Sequence, residues 1–186
     1  MRLNSLKNRF SKKIAAIKLR LLFLCIIAGL STYSSADETD EYTLKSAFLY
    51  NFSLFTTWPE HSFTTFDLCI YGDDPFGKNF DVLLEDKTIR NHSIVIHRIN
   101  QLEQLTSCQL VYISRSERKK IPDIVNSLAD HSVLTIADSP DACLQGVMLN
   151  MNVENDKITF EANLKQAKKA NLTLNAQLLR LATKVY

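Results

Sequence analysis

Apolar residues recur along this chain in two rhythms. Between Leu44 and Trp58 the rhythm is helical: Leu44, Phe48, Phe52 and Phe55 lie four, four and three apart, with Trp58 three further on. The spacing predicts a helix with that aromatic row inward, Lys45, Tyr50 and Ser53 outward, and Thr43 as its cap. Asp37 to Glu41 reads as a polar lead-in. Pro59 cannot continue a helix and pushes Trp58 towards extended backbone, so the helix should end just before that pair. Further on, short apolar runs alternate with helical segments. Phe66–Tyr71 predicts a buried strand, and Ser93–Ile99, Cys108–Ile113 and Ser132–Ala137 predict three more strands. Phe80–Glu85 predicts a short helix with Phe80, Leu83 and Leu84 inward, and Leu102–Leu105 one helical turn. A helix starting at Ser116, or as late as Pro122, and running to about Ala129 would bury Ile121, Ile124, Val125 and Leu128.

The pattern then changes. Gly146–Val153 and Lys157–Ala162 flank the turn residues Glu154, Asn155 and Asp156, a β-hairpin signal. In the second strand Ile158, Phe160 and Ala162 share one face, and Thr159, Glu161 and Asn163 the other. A short helix through Ala167 and a last helix, Asn175–Thr183, close the chain, the latter burying Leu178, Leu179 and Ala182. Four strands separated by helical segments predict an α/β fold of three layers. It has a mostly parallel sheet, helices on both faces, and a C-terminal β-hairpin plus helix. No linker or repeat interrupts residues 37–186, which read as a single domain.

Charge changes the picture at the N-terminus. Seven of the 22 Lys and Arg lie in residues 1–36, with none of the 20 Asp and Glu, so the remainder is mildly acidic. That weighs against nucleic acid as a partner. The basic region precedes the apolar run Leu21–Leu30 and a small-residue stretch ending Ser34-Ser35-Ala36, the layout of a signal peptide over residues 1–36 cleaved before Asp37. The run is well short of the roughly 20 residues of a spanning helix; an uncleaved anchor is the alternative. Cys25 lies inside the run without the small residues of a lipid-attachment box.

Export gives Cys69, Cys108 and Cys143 a new meaning, because an oxidising compartment favours disulfides. If the first and third strands are neighbours, Cys69 and Cys108 come within bonding range; the other reading is two reduced, buried thiols. Cys143 has no evident mate. The loop Gly72–Gly77 is the best-placed crevice for a small ligand, with Asp73 and Asp74 as candidate ligand-binding residues. Such an acidic pair could hold a metal as in a receiver domain, but Ser114-Arg115 stands where that fold needs a phosphate-accepting Asp. The competing reading is a turn and a helix cap. Arg115, Arg118, Lys119 and Lys120 form a basic cluster that reads as a solvated helix start. His61, His92, His97 and His131 have no metal-binding spacing, though His97 could share a strand face with Val95 and Ile99. The few glycines form no phosphate cradle, and no nucleophile elbow or Cys-x-x-Cys is present. No enzyme activity, metal or cofactor is expected.

One resemblance spans nearly all of residues 41–186. Leu44-Lys-Ser-Ala-Phe-Leu-Tyr-Asn-Phe52 with Trp58-Pro59, Leu68-Cys-Ile-Tyr-Gly-Asp-Asp-Pro-Phe-Gly77, Cys108-x-Leu-Val-Tyr-Ile113, Val133-Leu-Thr-Ile-Ala-Asp138, Gly146-Val-Met-Leu149, Ile158-x-Phe-Glu-Ala-Asn163 and Gln177-Leu-Leu-Arg-Leu-Ala182 resemble the YfiR/HmsC family in order and spacing. The resemblance implies a periplasmic, non-catalytic regulator that restrains a membrane diguanylate cyclase of the YfiN type through its periplasmic part. A YfiB-type outer-membrane lipoprotein would sequester it, raising cyclic di-GMP and biofilm formation. It further implies a homodimer and a Cys69–Cys108 disulfide. A second disulfide would start at the position of Cys143, but its partner falls near Asn150, where no cysteine stands. Tyr50 and Asn51, with Glu161 and Asn163 of the Phe-Glu-x-Asn motif, are the candidate partner contacts. Glu161 and Asn163 could equally tie the hairpin to the next helix.

Overall fold

A computed structural model describes residues 36–59, 63–155 and 157–186; residues 1–35 of the expected leader, His61 and Asp156 of the expected hairpin turn lie outside them. The first helix, α1, runs Ala36–Leu54, so the lead-in is helical and Thr43 lies inside the helix. A two-residue strand, β1 (Thr56–Thr57), follows it. The first run of the main sheet is β2 (Phe66–Tyr71), followed by α2 (Lys78–Leu84), β3 (Thr88–Ile89) and β4 (His92–Ile99). A 3₁₀ helix, Leu102–Ser107, leads to β5 (Leu110–Ile113). A second 3₁₀ helix, Arg115–Lys120, runs into α3 (Ile121–Ser127), where Pro122 occupies the first turn. Then come β6 (Leu134–Ala137), the hairpin β7 (Leu149–Glu154) and β8 (Lys157–Ala162), and α4 (Leu164–Lys169). The chain closes with β9 (Thr173–Leu174), α5 (Ala176–Leu181) and β10 (Lys184–Val185).

Among the described residues the main sheet has eight strands in the order β10-β8-β7-β6-β5-β2-β4-β3. β4, β2, β5, β6 and β7 are parallel; β3 and β8 pair antiparallel with their neighbours, and β10 runs parallel to β8. β1 and β9 form a separate antiparallel pair that ties the end of α1 to the C-terminal region. Alternation along each strand divides the core in two. Leu68, Ile70, Leu110, Tyr112, Leu134 and Ile136 meet Leu49, Phe52, Phe80, Ala167 and Leu178 of the helices on one face. Cys69, Tyr71, Val111, Ile113 and Ala137 meet Leu105, Ile121, Ile124 and Leu128 on the other. Three layers and a mostly parallel sheet are therefore present. No helix among the described residues is long and apolar enough to cross a membrane.

The largest correction concerns α1. Its buried face is Tyr42, Lys45, Ser46, Leu49, Phe52 and Ser53, while Leu44 is 47% exposed and Phe48 and Phe55 are only partly covered. Measured at 100° per residue, the face is turned by roughly 100° from the aromatic row. Two features make this orientation cheap. Ser46 and Ser53 donate to the carbonyls of Tyr42 (2.7 Å) and Leu49 (2.9 Å), so their hydroxyls are satisfied inside the helix. Lys45 finds carboxylates, as described below. A smaller correction is Leu83, which is 38% exposed because the short α2 turns only Phe80 and Leu84 inward.

Candidate functional site

The parallel strands follow the doubly wound order in which winding reverses between β2 and β5. Ligands of such sheets sit beyond the carboxyl ends of the strands at that reversal. Here the position is filled. Gly72 has φ +93°, and a Cβ there would lie 2.5 Å from Glu117 Cγ and 2.6 Å from Ser116 Oγ. The 3₁₀ turn after β5 thus closes onto the loop, and Ser116 Oγ accepts from the Asp73 amide at 3.0 Å. Only glycine gives both the left-handed backbone and the room. Gly72→Ala is expected to lower the urea midpoint, with a cost of about 1–3 kcal/mol; an unchanged midpoint would show that the loop is free to move away.

Asp73 is exposed. Asp74 accepts from the amides of Phe76 (2.8 Å) and Gly77 (3.2 Å), which makes it a turn former, and its other oxygen accepts from Arg98 Nε at 2.8 Å. Arg98 also pairs with Asp81 at 2.6 Å. The hydrogen bond from Arg98 holds the Asp81 carboxyl below its usual range. Among the described residues, no group of three His, Cys, Asp or Glu is placed to hold a metal. An open cleft of about 380 Å³ remains beside the loop, lined by Gly72, Arg98, Ile99, Asn100, Gln101 and Gln104.

The most concentrated chemistry lies one step along the sheet, and sequence reasoning missed it. Asp138 leaves the carboxyl end of β6 with its side chain fully buried. Lys45, equally buried on α1, donates to Asp138 Oδ2 and to Glu41 Oε1. Tyr42 donates to the same Oδ2 at 3.1 Å. Arg115, at the end of β5, reaches Asp138 Oδ2 (3.1 Å), Glu41 (3.2 Å) and the Asp138 carbonyl (3.2 Å). Two cations thus meet two carboxylates, and the cluster is neutral. Burial, reinforced by the Asp138 charge, pushes the Tyr42 and Tyr112 phenols well above their ordinary range. Burial works against the Arg115 charge, but Asp138, Tyr42, Glu41 and Tyr112 together more than compensate and hold the guanidinium above its usual value. Chemically the cluster is a clamp between α1 and the sheet. Its formal charges balance through Asp138 Oδ2, while Asp138 Oδ1 and the Tyr112 hydroxyl are buried without a hydrogen-bond partner. Arg115 therefore belongs to this cluster rather than to a solvated helix start, while Lys120 pairs with Glu117 at 2.7 Å.

At the hairpin, Asn163 Oδ1 accepts from the Gln166 amide (2.9 Å) and its Nδ2 donates to the Cys143 carbonyl (2.9 Å). It caps α4 and ties the hairpin to that helix. Glu161 stands beside β10, opposite Lys184, and accepts from the Tyr186 hydroxyl at 3.4 Å. Tyr50 lies under Lys87, whose Nζ is 5.2 Å from its ring centre, and Asn51 is exposed. The four candidate contact residues thus fall into two groups: Tyr50 near β3 at one end of the sheet, Glu161 near β10 at the other.

Cys69 and Cys108 form a disulfide with their Cα atoms 6.1 Å apart, because β2 and β5 are neighbours. Cys143 is free and fully buried, donating to the Glu161 carbonyl at 3.7 Å. Burial first, then the nearby Glu161 charge, raises its thiol from the ordinary value near 9 to about 12. A folded value above the unfolded one means that this stabilising contribution is complete below pH 9. It is lost as pH rises towards 12. Cys143 should therefore resist a thiol reagent at pH 8 until urea unfolds the chain; immediate labelling of native protein would contradict its burial.

The comparisons with known proteins follow this geometry. A conserved domain protein from Vibrio cholerae O1 biovar El Tor superposes with TM-score 0.53 at 8% identity, over 76% of this chain and 60% of that one. The ABC domain in complex with L-Trp from Streptococcus pneumonia gives 0.48 at 10% identity, over 66% and 55%, and carries no argument. The chain thus spans 60% and 55% of the lengths of these two structures, and the first likeness shows the α/β fold alone. The sequence itself matches the DUF4154 family, described as YfiR/HmsC-like, over residues 42–183. That stretch includes Lys45, both disulfide cysteines, Asp138 and the whole hairpin, and the chain therefore belongs to the YfiR/HmsC-like family.

Proposed function

We propose that this protein is a periplasmic regulator that binds the periplasmic part of a membrane diguanylate cyclase of the YfiN type and inhibits it. Cyclic di-GMP and biofilm formation fall as a result. A YfiB-type outer-membrane lipoprotein would sequester the regulator and release the cyclase. The observation that carries this reading is the family match over residues 42–183, which supports a periplasmic regulatory role in general. The neutral, closed cluster around Asp138 and the filled switch point agree with a protein that works by surface contact. Residues 1–36 would be the signal peptide, so the mature chain should begin at Asp37.

The test is cyclic di-GMP in a deletion strain that still expresses the cyclase. The level should rise several-fold and fall on complementation; an unchanged level would remove the inhibitory role. Of the candidate contacts, Asn51 is the exposed side chain on α1, whereas Asn163 spends its amide inside the protein. Asn51→Arg is expected to weaken inhibition without shifting thermal stability by more than about 0.5 kcal/mol; full inhibition by this variant would move the contact surface elsewhere.

A second reading rests on the cleft at Gly72, Arg98 and Gln104. It makes the domain a small-molecule sensor whose ligand tunes partner binding. A metabolite panel in a thermal-shift assay separates the two: a stabilising ligand lost on Gln104→Leu supports the sensor.

A further inference from the structure

Charge is divided sharply along this chain. Residues 157–186 carry six Lys and Arg and a single acidic residue, Glu161, whereas residues 37–156 carry nine Lys and Arg against 19 Asp and Glu. The fold gathers the basic segment at one end of the main sheet. β10 pairs with β8, the amides of Leu164 and Lys165 at the start of α4 donate to the Tyr186 carbonyl, and the Thr183 amide beyond α5 donates to the Phe160 carbonyl. Lys165, Lys168 and Lys169 share the exposed face of α4, three and four residues apart. Arg180 near the end of α5 and Lys184 on β10 are exposed as well.

Among the described residues none of these five cations is in an ion pair, whereas Lys45, Arg98, Arg115 and Lys120 all are. The nearby negative charges are Glu161, opposite Lys184 in the ladder, and Asp141, which also acts on Lys184. Two aliphatic side chains stand among the cations: Leu181 is 71% exposed and Val185 45%. Cations interleaved with exposed aliphatics suit the headgroup layer of an anionic bilayer. Four of the five cations are lysines, point charges on long stems that can follow a mobile surface. Fixed carboxylates on a protein partner are better met by the fork of an arginine.

We propose that the β10 edge of the sheet rests on a bilayer containing anionic phospholipid. Lys165, Lys168, Lys169, Arg180 and Lys184 meet the headgroups, and Leu181 and Val185 enter between them. The acidic excess does not oppose this contact. Asp74 and Asp81, beside β4 at the opposite end of the sheet, lie roughly 30 Å away at the ordinary strand spacing. That is about three screening lengths at about 0.1 M salt. Repulsion turns the acidic remainder away, so the contact sets which end of the sheet faces the membrane. The proposal does not rest on the cyclase reading.

Flotation of protein purified from the periplasm with extruded vesicles tests it. Vesicles of equal parts phosphatidylglycerol and phosphatidylcholine should carry the protein, and phosphatidylcholine alone should not. Raising salt from about 0.05 to about 0.5 M should release it. Lys165→Gln, Lys168→Gln and Lys169→Gln together should weaken partitioning about a hundredfold, at the usual weight of a lysine near an anionic surface. The same loss of charge elsewhere, through Lys78→Gln, Arg118→Gln and Lys119→Gln, should change it less than about threefold. The three α4 lysines are exposed, so an unchanged thermal midpoint shows that the fold survives; Lys165→Arg, Lys168→Arg and Lys169→Arg together should bind as wild type. Equal binding to both vesicle types would overturn the proposal, as would a control triple as weak as the lysine triple. Failure to float with the mixed vesicles would also overturn it. Loss of cyclase inhibition by the lysine triple would then give this edge to an acidic protein surface. Cyclase inhibition is scored separately, so either reading can fail alone.

Discussion

Lys45→Met is expected to cost about 3–5 kcal/mol, the typical result of breaking a buried ion pair from one side. The methionine fills the volume, but the fully buried Asp138 side chain loses the buried ammonium that faces it and is left with Tyr42 and the half-exposed Arg115 on its Oδ2. For a domain of this size each kcal/mol moves the midpoint by roughly 2–4 °C, so a fall of about 6–20 °C should be seen by calorimetry. The sharper test is the pair. Lys45→Met combined with Asp138→Leu removes both charges and should recover a good part of the loss, because a buried pair adds little beyond its apolar replacement. A single variant within about 1 kcal/mol of wild type would mean that the clamp is open to solvent.

Removing the disulfide should have a comparable effect. Cys69 and Cys108 are 39 residues apart, and closing a loop of that length removes about 4 kcal/mol of unfolded-chain freedom on the loop-entropy model. Both sulfurs lie in the core beneath α3, so Cys69→Ala with Cys108→Ala also loses some packing. Urea unfolding of oxidised protein against the same protein in reductant isolates the cross-link, because no side chain changes. The reduced midpoint should fall and the slope steepen, because the unfolded chain without the cross-link is more expanded. Equal midpoints would show that the parallel pairing of β2 and β5 holds the fold by itself.

The central strands β2, β5 and β6 were legible because each is a short apolar run buried on both faces, which leaves composition and length to identify it. Phe66–Tyr71 matches β2 at both ends. Strands of two residues, such as β1, β9 and β10, have no pattern to read; their partners lie far along the chain, Lys184 opposite Glu161 and Thr56 opposite Leu174. The orientation of α1 was hidden for a different reason. Counting apolar side chains favours the aromatic row, whereas the protein buries two serines and a lysine whose polar atoms are satisfied locally or by Asp138. A signal did exist: Tyr42, Ser46, Leu49 and Ser53 keep helical spacing, and Glu41 stands four residues before Lys45. What no local pattern could reveal is that Asp138, 93 residues on, would meet Lys45. The disulfide was half legible, since its cysteines were visible but their closeness depended on strand order. The loop at Gly72–Gly77 was correctly placed at the carboxyl edge, yet the side chains of Ser116 and Glu117 that fill its crevice come from the following crossover.

The central claim is that the protein acts by covering part of a membrane cyclase. It is tested most directly with that cyclase reconstituted in vesicles, its periplasmic part accessible to added protein and cyclic di-GMP synthesis measured on the other side. The account predicts that the wild-type regulator lowers synthesis in a saturable way. Synthesis that stays constant at saturating regulator, with the cyclase active and the regulator folded, would contradict it.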